Sequence, residues 1–434
     1  MSGRDLAELL REHASAQRVP GAAVGILRDG DETFAWYGTE STRTGLPVTA
    51  ESRFSVGSLV KSMVATVVAR LAEDERLPLE DPVAAHVPEL RSEPWAERAT
   101  VRDLLANRSG LPLCDRLEFD FAAHPGEDDD VLARLAASVA AEEPTPVEWS
   151  YTNAGWCLLG RAIETVTGRV WEDAMRVELI APAGMAETIF ATDVGSVARV
   201  SGHKVEADGA VPVEPLVSRA FGPAGTTMVS TAGDMLRFAA LHLDDPLFAA
   251  LRRPQAAPRI HGWLDEWCLG WASFAWEGGR VYGWDSLING ERAVLRLVPE
   301  RNAAVVLMAN SSDGRALYRS LFADLMHELF KIGVPPLRVG AERDAAGDLS
   351  RFAGVYGWPD RRVEVTPTEV GLHIESDDGT SEALPLDERT FVVDAGDPDT
   401  PTVTFGAFDE AGRPHVLYEM IWGLPRRRAD DLDA

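Results

Sequence analysis

The spacing of apolar residues near the N-terminus alternates between the helical and the strand period. Residues 2–17 place leucines on one helical face and predict a short amphipathic helix. Residues 22–27 and 32–37 are predicted strands, because they flank Asp29-Gly30, a dipeptide that suits a tight hairpin turn. Residues 58–71 are apolar on most sides of a helix, which predicts a central, buried helix.

The middle of the chain, about residues 73–270, has mostly helical spacing, and strand spacing returns after it. Loops rich in Pro and Gly separate the predicted helices at 101–106, 131–140, 154–167 and 232–242. The later predicted strands are 280–284, 293–298 and 303–308. An amphipathic helix at 317–330 is predicted to follow them. This order predicts an α/β fold with one sheet built from both ends of residues 1–333 and an inserted helical lobe.

The composition changes after this region. Residues 334–349 include Pro335-Pro336 and show little apolar periodicity, as expected for a linker. From residue 350 to 434, short alternating runs are separated by turn residues, which predicts a small antiparallel barrel or sandwich. These runs lie at residues 362–366, 371–375, 390–393 and 415–421.

The net charge limits the classes of partner. The chain has 69 acidic and 42 basic residues and a formal net charge of −27. Such a balance repels phosphate backbones and anionic lipid surfaces, so we expect no nucleic acid and no membrane as a main partner. Closely spaced charges in residues 1–18 leave no room for the apolar core of a signal peptide, and no long apolar run follows. We therefore expect a cytoplasmic protein.

The cysteines exclude a disulfide scaffold and a Cys-x-x-Cys metal or redox pair, because Cys114, Cys157 and Cys268 are odd in number and widely spaced. The histidines are scattered without ligand spacing. The sequence predicts neither a metal nor another cofactor.

A lysine is the most informative single residue. The basic residues comprise 39 arginines and 3 lysines, so a lysine at any position is an exception to a strong preference for arginine. Lys61 follows Ser58 by three residues in the predicted buried helix, which places the amine and the hydroxyl on one face. A buried amine can be neutral and activate a serine, whereas a guanidinium cannot. The alternative is a helix-capping serine followed by a lysine whose amine reaches solvent.

A second motif, Tyr151-Thr152-Asn153, opens another predicted helix. A tyrosine can shuttle a proton, and an asparagine amide can orient both a lysine and a substrate carbonyl. Considered alone, Tyr151 would be an aromatic anchor and Asn153 a helix cap. Together with Ser58 and Lys61, the motif favours a catalytic site.

At this point the sequence resembles the serine β-lactamase and penicillin-binding protein superfamily, in the branch of class C β-lactamases, D,D-peptidases, D-aminopeptidases and family VIII esterases. The resemblance covers about residues 6–330. Besides the two motifs above, it includes Val19-Pro20-Gly21-Ala22-Ala23-Val24, Phe54-Ser55-Val56-Gly57-Ser58, Thr100-Val101-Arg102-Asp103-Leu104-Leu105, Ser109-Gly110-Leu111-Pro112 and the run from Pro223-Ala224-Gly225 to Asp234-Met235.

The resemblance implies a β-lactamase-like antiparallel sheet flanked by helices, and it implies roles for particular residues. Ser58 would be the acylated nucleophile, Lys61 and Tyr151 the base pair, and Asn153 a substrate contact. The backbone N–H groups of Ser58 and Leu287 would form the oxyanion hole.

The sequence departs from the family at its third motif. The usual Lys-Thr-Gly or His-x-Gly aligns with Trp284-Asp285-Ser286, which we take as candidate substrate-binding residues. A tryptophan supplies no titratable group, so this change points away from β-lactam hydrolysis and towards esters, as in the family VIII esterases that carry Trp-x-Gly. We expect Ser286 to narrow the cleft beside the oxyanion hole. The alternative for Trp284 is a core position that points away from the cleft.

The C-terminal region resembles the lipocalin-like barrel found in some members of the superfamily, including D-aminopeptidases and thioesterases that cyclise non-ribosomal peptides. Arg426-Arg427-Arg428 near its end is a solvated tail by the simplest interpretation. The alternative is that these arginines approach the cleft and bind a substrate carboxylate.

The sequence therefore predicts a serine hydrolase or acyltransferase with a covalent acyl-enzyme, acting on a small-molecule ester or a D-residue peptide. One alternative is a penicillin-binding-protein-type thioesterase that cyclises peptides, for which a carrier-protein-linked peptide is a candidate partner. A second alternative is a non-catalytic penicillin-binding or sensing module. Lys61 and Tyr151 argue against the second alternative, because binding alone needs neither.

Overall fold

The computed structural model describes residues 3–112, 129–142, 144–145, 147–194, 199–312, 314–335, 347–358, 361–377, 379–393 and 402–427. Cys114, Arg428 and most of the predicted linker lie outside these ranges.

A seven-stranded antiparallel sheet combines strands from both ends of the N-terminal region. Its strands are β1 (Gly21–Arg28), β2 (Asp31–Gly38), β8 (Glu266–Trp267), β9 (Ala272–Trp276), β10 (Gly279–Ile288), β11 (Glu291–Val298) and β12 (Ala303–Ala309). Their order across the sheet is β2-β1-β12-β11-β10-β9-β8. Every residue of β11 and β12 is buried, because helices cover both faces of the sheet. The predicted fold class is confirmed.

The helices of the described residues lie on both faces of the sheet and in the lobe inserted between β2 and β8. They are α1 (Gly3–Ala16), α2 (Val60–Glu73), α3 (Val83–His86), α4 (Val101–Leu105), α5 (Val131–Val139), α6 (Asn153–Thr167), α7 (Trp171–Met175), α8 (Ala191–Val194), α9 (Ala232–Asp244), α10 (Pro246–Ala249) and α11 (Gly314–Phe330). The central helix α2 has its residues from Val60 to Ala69 buried, as its apolar pattern predicts.

The inserted lobe also contains strands that the sequence pattern did not predict. They are β3 (Phe54–Ser55), β4 (Ile189–Phe190), β5 (His203–Glu206), β6 (Gly209–Pro212) and β7 (Met228–Ser230). They form a three-stranded sheet, β3-β7-β4, and the hairpin β5-β6. Strands of two to four residues are too short to show an alternating pattern.

The C-terminal region is an eight-stranded antiparallel barrel in sequential order, nearly closed by a bridge between Tyr356 and Arg426. Its strands are β13 (Gly354–Trp358), β14 (Arg361–Pro367), β15 (Leu372–Ser376), β16 (Gly379–Pro385), β17 (Thr390–Val393), β18 (Thr402–Phe408), β19 (Pro414–Glu419) and β20 (Trp422–Pro425). It has its own apolar core around Phe352, Phe391 and Phe405.

The last part of the barrel differs from the predicted single strand over 415–421. The chain turns at Met420 and Ile421, so that β19 and β20 form a hairpin. Met420 adopts a left-handed conformation, with φ of 55°, without a glycine to signal it. Val416 and Tyr418 of β19 pack into the core of the N-terminal region, so this hairpin joins the two parts of the protein.

Candidate active site

Ser58, Lys61 and Tyr151 meet at the N-terminal end of α2. Ser58 lies in a single 3-10 turn, Gly57–Leu59, that leads directly into this helix. The Tyr151 hydroxyl lies 3.0 Å from Ser58 Oγ, and Lys61 Nζ lies 3.4 Å from the same atom. Ser58 makes no capping hydrogen bond, since neither helical segment here has a side-chain cap. The capping interpretation of Ser58 is therefore wrong.

Lys61 is fully buried, so its amine does not reach solvent. Its Nζ donates a hydrogen bond of 2.6 Å to the carbonyl of Ala224 and lies 4.9 Å from the centre of the Tyr151 ring. The carbonyl fixes the amine between the serine and the tyrosine. In this position Lys61 can exchange a proton with Ser58 Oγ.

Asn153 is the first residue of α6, and the capping position before it belongs to Thr152. The helix-cap interpretation of Asn153 is therefore wrong as well. The Thr152 hydroxyl donates to the carbonyl of Pro112 over 3.0 Å, which anchors the turn between Tyr151 and the helix. This turn places Asn153 in the wall of the cleft beside Ser58 and Tyr151.

Two glycines make room for the nucleophile turn. Gly57 has φ of 52°, and a Cβ on it would lie 1.7 Å from Ser286 Oγ. Gly225 has φ of 129°, and a Cβ on it would lie 2.8 Å from the backbone N of Ser58. Both positions need glycine for its conformation and for the space that it leaves. The close packing holds Ser58 against β10 on one side and against the Ala224-Gly225 turn on the other.

Among the described residues, no strand pairs with the second half of β10 on the side where β9 pairs with the first half. Strand β9 pairs only with its first half, Gly279 to Gly283, whereas β11 pairs with it as far as Ile288. Trp284, Asp285 and Leu287 on this half line the cleft together with Ser58. Because half of a strand's backbone groups lie on each edge, a free edge can supply N–H donors to an oxyanion. The assignment of the Leu287 N–H to that role stays a prediction.

The cleft has a volume of about 220 Å³ and receives one wall from the barrel. Its lining residues are Ser58, Tyr151, Thr152, Asn153, Trp263, Trp284, Asp285, Leu287, Arg292, Met420, Ile421 and Trp422. The sequence motifs indicated neither Trp263 nor Arg292 nor the β19-β20 turn, since these belong to no pattern near Ser58 or Tyr151. Three indoles and several aliphatic side chains make the wall largely apolar.

The β19-β20 hairpin contacts the tyrosine motif directly. The backbone N–H of Tyr151 donates to the carbonyl of Ile421 over 3.3 Å. The Ser150 hydroxyl accepts from the N–H of Gly423 over 3.1 Å and donates to the Gly423 carbonyl over 3.3 Å. The tyrosine is therefore positioned by the barrel as well as by α6.

Family comparison agrees with this geometry. The β-lactamase family matches residues 6–325, which is most of the chain and includes Ser58, Lys61 and Tyr151. This chain belongs to the β-lactamase family of serine hydrolases. Penicillin-binding protein 4 of Amycolatopsis lactamdurans is 31% identical over 361 residues, covering 78% of this chain and 93% of that protein.

Two further proteins are similar to this chain. The crystal structure of SurE superposes on this chain with a TM-score of 0.83, and the two sequences are 28% identical. The match covers 98% of this chain and 99% of SurE. SurE has also been solved with D-Leu, and that structure matches with a TM-score of 0.80 and 27% identity. The unguisins hydrolase ungD' of Aspergillus campestris is 24% identical over 339 residues, covering 71% of this chain and 62% of that protein.

Trp284, which the family resemblance aligns with the lysine or histidine of the third motif, lies in the cleft wall. Its ring stacks on Tyr151 at 5.5 Å between centroids and meets Trp267 edge-on at 4.9 Å. Only 3% of Trp284 is exposed, because these two rings cover it. Trp284 is a core residue, as the alternative interpretation predicts, but it does not point away from the cleft, because it also lines the cleft wall.

Asp285 and Ser286, the other two candidate substrate-binding residues of the third motif, both make contacts within the protein. The Asp285 carboxylate pairs with the buried guanidinium of Arg296 at 2.5 Å, so its charge is already balanced. Arg296 also donates to the carbonyl of Trp284 over 3.2 Å and to the Tyr318 hydroxyl over 2.7 Å. Burial raises the pKa of Tyr318 to about 12, so this hydroxyl keeps its proton at neutral pH.

Ser286 is fully buried behind the cleft, with its hydroxyl against Gly57, so it does not narrow the opening. Ser286 packs behind the nucleophile turn, away from the cleft. Asp285 lines the cleft although its carboxylate is paired with Arg296, and its role as a substrate contact stays a prediction.

The predicted role of the terminal arginines is also corrected in part. Arg426 donates through its guanidinium to the carbonyls of Arg351, Pro414 and Ala353 within the barrel. The Arg427 N–H donates to the carbonyl of Val355 over 2.8 Å. Neither residue lines the cleft, and Arg428 lies outside the described residues. The barrel reaches the site through Met420, Ile421 and Trp422 instead.

None of the described helices is long and apolar enough to cross a membrane. No group of three or more His, Cys, Asp or Glu side chains in the same part of the chain could hold a metal ion.

Proposed function

We propose that this protein transfers an acyl group through a covalent ester on Ser58, with an ester or a D-residue peptide as the acyl donor. One observation carries the proposal, namely the placing of the Tyr151 hydroxyl and of Lys61 Nζ at 3.0 and 3.4 Å from Ser58 Oγ. Ser58 Oγ attacks the substrate carbonyl and passes its proton to the Lys61–Tyr151 pair. The same pair returns a proton to the leaving group, and the acyl-enzyme remains.

The second half of the reaction reverses these steps. Water or an amine attacks the ester on Ser58 and gives up a proton to the same pair, and Ser58 recovers a proton as the ester breaks. Two donors would stabilise the negatively charged oxygen of each tetrahedral intermediate. We assign them to the backbone N–H groups of Ser58 and Leu287.

The substrate class follows from the cleft and from the relatives. The apolar indoles suit an apolar acyl residue, and the SurE structure with D-Leu supports a D-configured one. The cleft lining contains two charged residues, Asp285 and Arg292, of which Asp285 is paired with Arg296. A site directed only at β-lactams would be expected to keep the cationic side chain of the third motif. In this chain we align Trp284 with that position, and its indole is uncharged.

A peptide-cyclising thioesterase is the second candidate, and the barrel hairpin favours it. Met420, Ile421 and Trp422 replace open solvent beside Tyr151 with an apolar wall, where a substrate amine can compete with water. The donor would then be an activated peptide, for example one linked to a carrier protein. The ratio of cyclic to linear product from one activated peptide separates this candidate from a hydrolase.

A labelling experiment tests the acyl-enzyme. The protein is incubated with activated esters of D- and L-configured residues and then digested for mass spectrometry. We expect an acyl adduct on the peptide that contains Ser58, more from the D-esters than from the L-esters. Ser58→Ala is the control, and it should fold normally and show no adduct. An adduct on another residue, or equal labelling of Ser58→Ala, would overturn the proposal.

The identity of residue 284 should set the preference between charged and neutral substrates. Trp284→His adds a titratable donor to the cleft wall, so we expect kcat/KM on carboxylate-bearing esters to rise relative to neutral esters. Trp284→Phe keeps the ring on Tyr151 without a titratable group and should leave that ratio unchanged. Trp284→Ala should weaken binding of apolar esters by about 1–3 kcal/mol. If Trp284→His lowers both rates equally, the indole only supports Tyr151.

A further inference from the structure

A second cavity, of about 300 Å³, shares the indole of Trp263 with the catalytic cleft. Its walls come from both parts of the protein, namely residues 259–265, β9 and α11 on one side and residues 387–390 of the barrel on the other. The Arg389 guanidinium donates to the Arg259 carbonyl over 2.9 Å and to the Pro258 carbonyl over 3.4 Å. The cavity is therefore built at a fixed contact between the two parts.

The charges around this cavity differ from those of the whole protein. Three arginines line it, Arg259, Arg319 and Arg389, against two carboxylates, Asp265 and Asp387. Both carboxylates already accept from backbone amides, Asp265 from the N–H of Ala275 at 2.7 Å and Asp387 from those of Arg389 and Thr390 at 2.9 and 2.8 Å. In a chain with a net charge of −27, this is a local excess of positive charge.

The same cavity has aromatic walls. Phe274 and Trp276 line it, with ring centroids 5.3 Å apart, and Trp263 connects it to the cleft. Aromatic walls with a few charged groups are typical of sites that bind an apolar ligand bearing a polar terminus. Arginine in particular suits a carboxylate, because its donors match both oxygens.

The catalytic cleft is too small to hold a whole peptide donor, so a second binding site is expected. At about 220 Å³, it is smaller than the ~300–1,000 Å³ that ligand sites usually occupy. A single acyl residue would occupy it, and the rest of a peptide donor would extend past Trp263. The second cavity is lined by the same indole.

We propose that this cavity is a distal subsite that binds a carboxylate-bearing residue of the peptide acyl donor, upstream of the residue whose carbonyl is attacked by Ser58. The proposal rests on the proposed acyl-transfer function and names its substrate class, a peptide of several residues with an acidic and an apolar side chain. Arg259 and Arg319 contact the carboxylate, and Trp276 packs against the apolar neighbour.

Binding to Ser58→Ala tests this inference without catalysis. The probes are two unreactive pentapeptide amides that end in D-Leu and differ only in one upstream residue, Glu or Gln, and affinity is measured by calorimetry. We expect the Glu peptide to bind about fivefold more tightly, the scale of a partly exposed ion pair, and the difference to shrink in high salt. Equal affinities of the two peptides for Ser58→Ala would overturn the inference.

Substitutions at the surface of the cavity locate the binding. Arg259 is exposed, so Arg259→Gln and Arg259→Glu should fold normally and abolish or reverse the preference for the Glu peptide. The matched control is Arg253→Glu, an exposed arginine in the same segment that does not line the cavity, and it should keep the preference. A preference retained in Arg259→Glu would place the carboxylate elsewhere. Failure of the proposed function would appear separately, as absence of the Ser58 adduct in the wild type.

Discussion

Turnover is expected to fall at least about a hundredfold when Lys61 is replaced by arginine, the usual scale of a general-base contribution. The amine is fully buried and held by the Ala224 carbonyl at 2.6 Å, close to Ser58 Oγ. Arginine keeps the apolar stem but cannot give up its proton, so it cannot take the proton of Ser58. The measurement is the rate of acyl-enzyme formation with an activated ester.

The control for this substitution is Lys204→Arg, at an exposed lysine on β5, which should leave both activity and stability unchanged. Thermal unfolding shows whether the larger guanidinium at position 61 is tolerated. A folded Lys61→Arg protein that acylates at the wild-type rate would mean that Lys61 has only a structural role.

Removal of the barrel is expected to abolish activity while the N-terminal region still folds. A chain that ends at Val334 keeps the seven-stranded sheet and α11, but it loses the Ile421 carbonyl that accepts from Tyr151 and the Gly423 contacts of Ser150. It also loses Val416 and Tyr418 from the shared core, so its unfolding temperature should be lower. Circular dichroism and ester turnover measure the two effects.

A smaller change separates the hairpin from the rest of the barrel. A Cβ at Gly423 would lie 2.7 Å from the Trp149 carbonyl, so Gly423→Ala should displace the hairpin and lower turnover with the barrel intact. The control is Gly412→Ala, in another barrel turn, where a Cβ meets no atom within 4 Å but the φ of 75° strains an alanine. It shows whether local strain in a barrel turn away from the cleft is enough to lower turnover. For the chain that ends at Val334, wild-type turnover by the folded protein would show that the N-terminal region is sufficient for catalysis without the barrel.

The parts of the site that could be predicted from the sequence are those set by local geometry or by motifs. Ser58 and Lys61 lie three residues apart on one helix, so their neighbourhood follows from the helical repeat. The role of Tyr151 as the partner of Lys61 followed from the family resemblance, and the sheet built from both ends of the N-terminal region followed from the spacing of apolar residues; the order of its strands was not predicted. The boundaries of most long elements differ from the predicted ones by a few residues, as expected at helix and strand ends.

The parts that could not be predicted depend on contacts between distant segments. The ion pair of Asp285 with Arg296 requires the register of two strands, and a motif alignment shows only the residue types. The wall formed by Met420 and Ile421 requires a turn in an apolar run that contains no Gly or Pro. Trp263 joins two cavities through tertiary packing alone, which no spacing along the chain indicates.

The packing of Ser286 against Gly57 has a consequence for protein engineering. The serine hydroxyl fills the space that a side chain on residue 57 would need, so the two positions form one complementary pair across 229 residues of sequence. Grafting a Lys-Thr-Gly motif onto residues 284–286 would remove this hydroxyl and leave a gap behind the nucleophile turn. Replacing only the aligned motif in order to change the substrate preference would therefore weaken the packing that holds Ser58. Residue 57 and its turn would have to be redesigned at the same time.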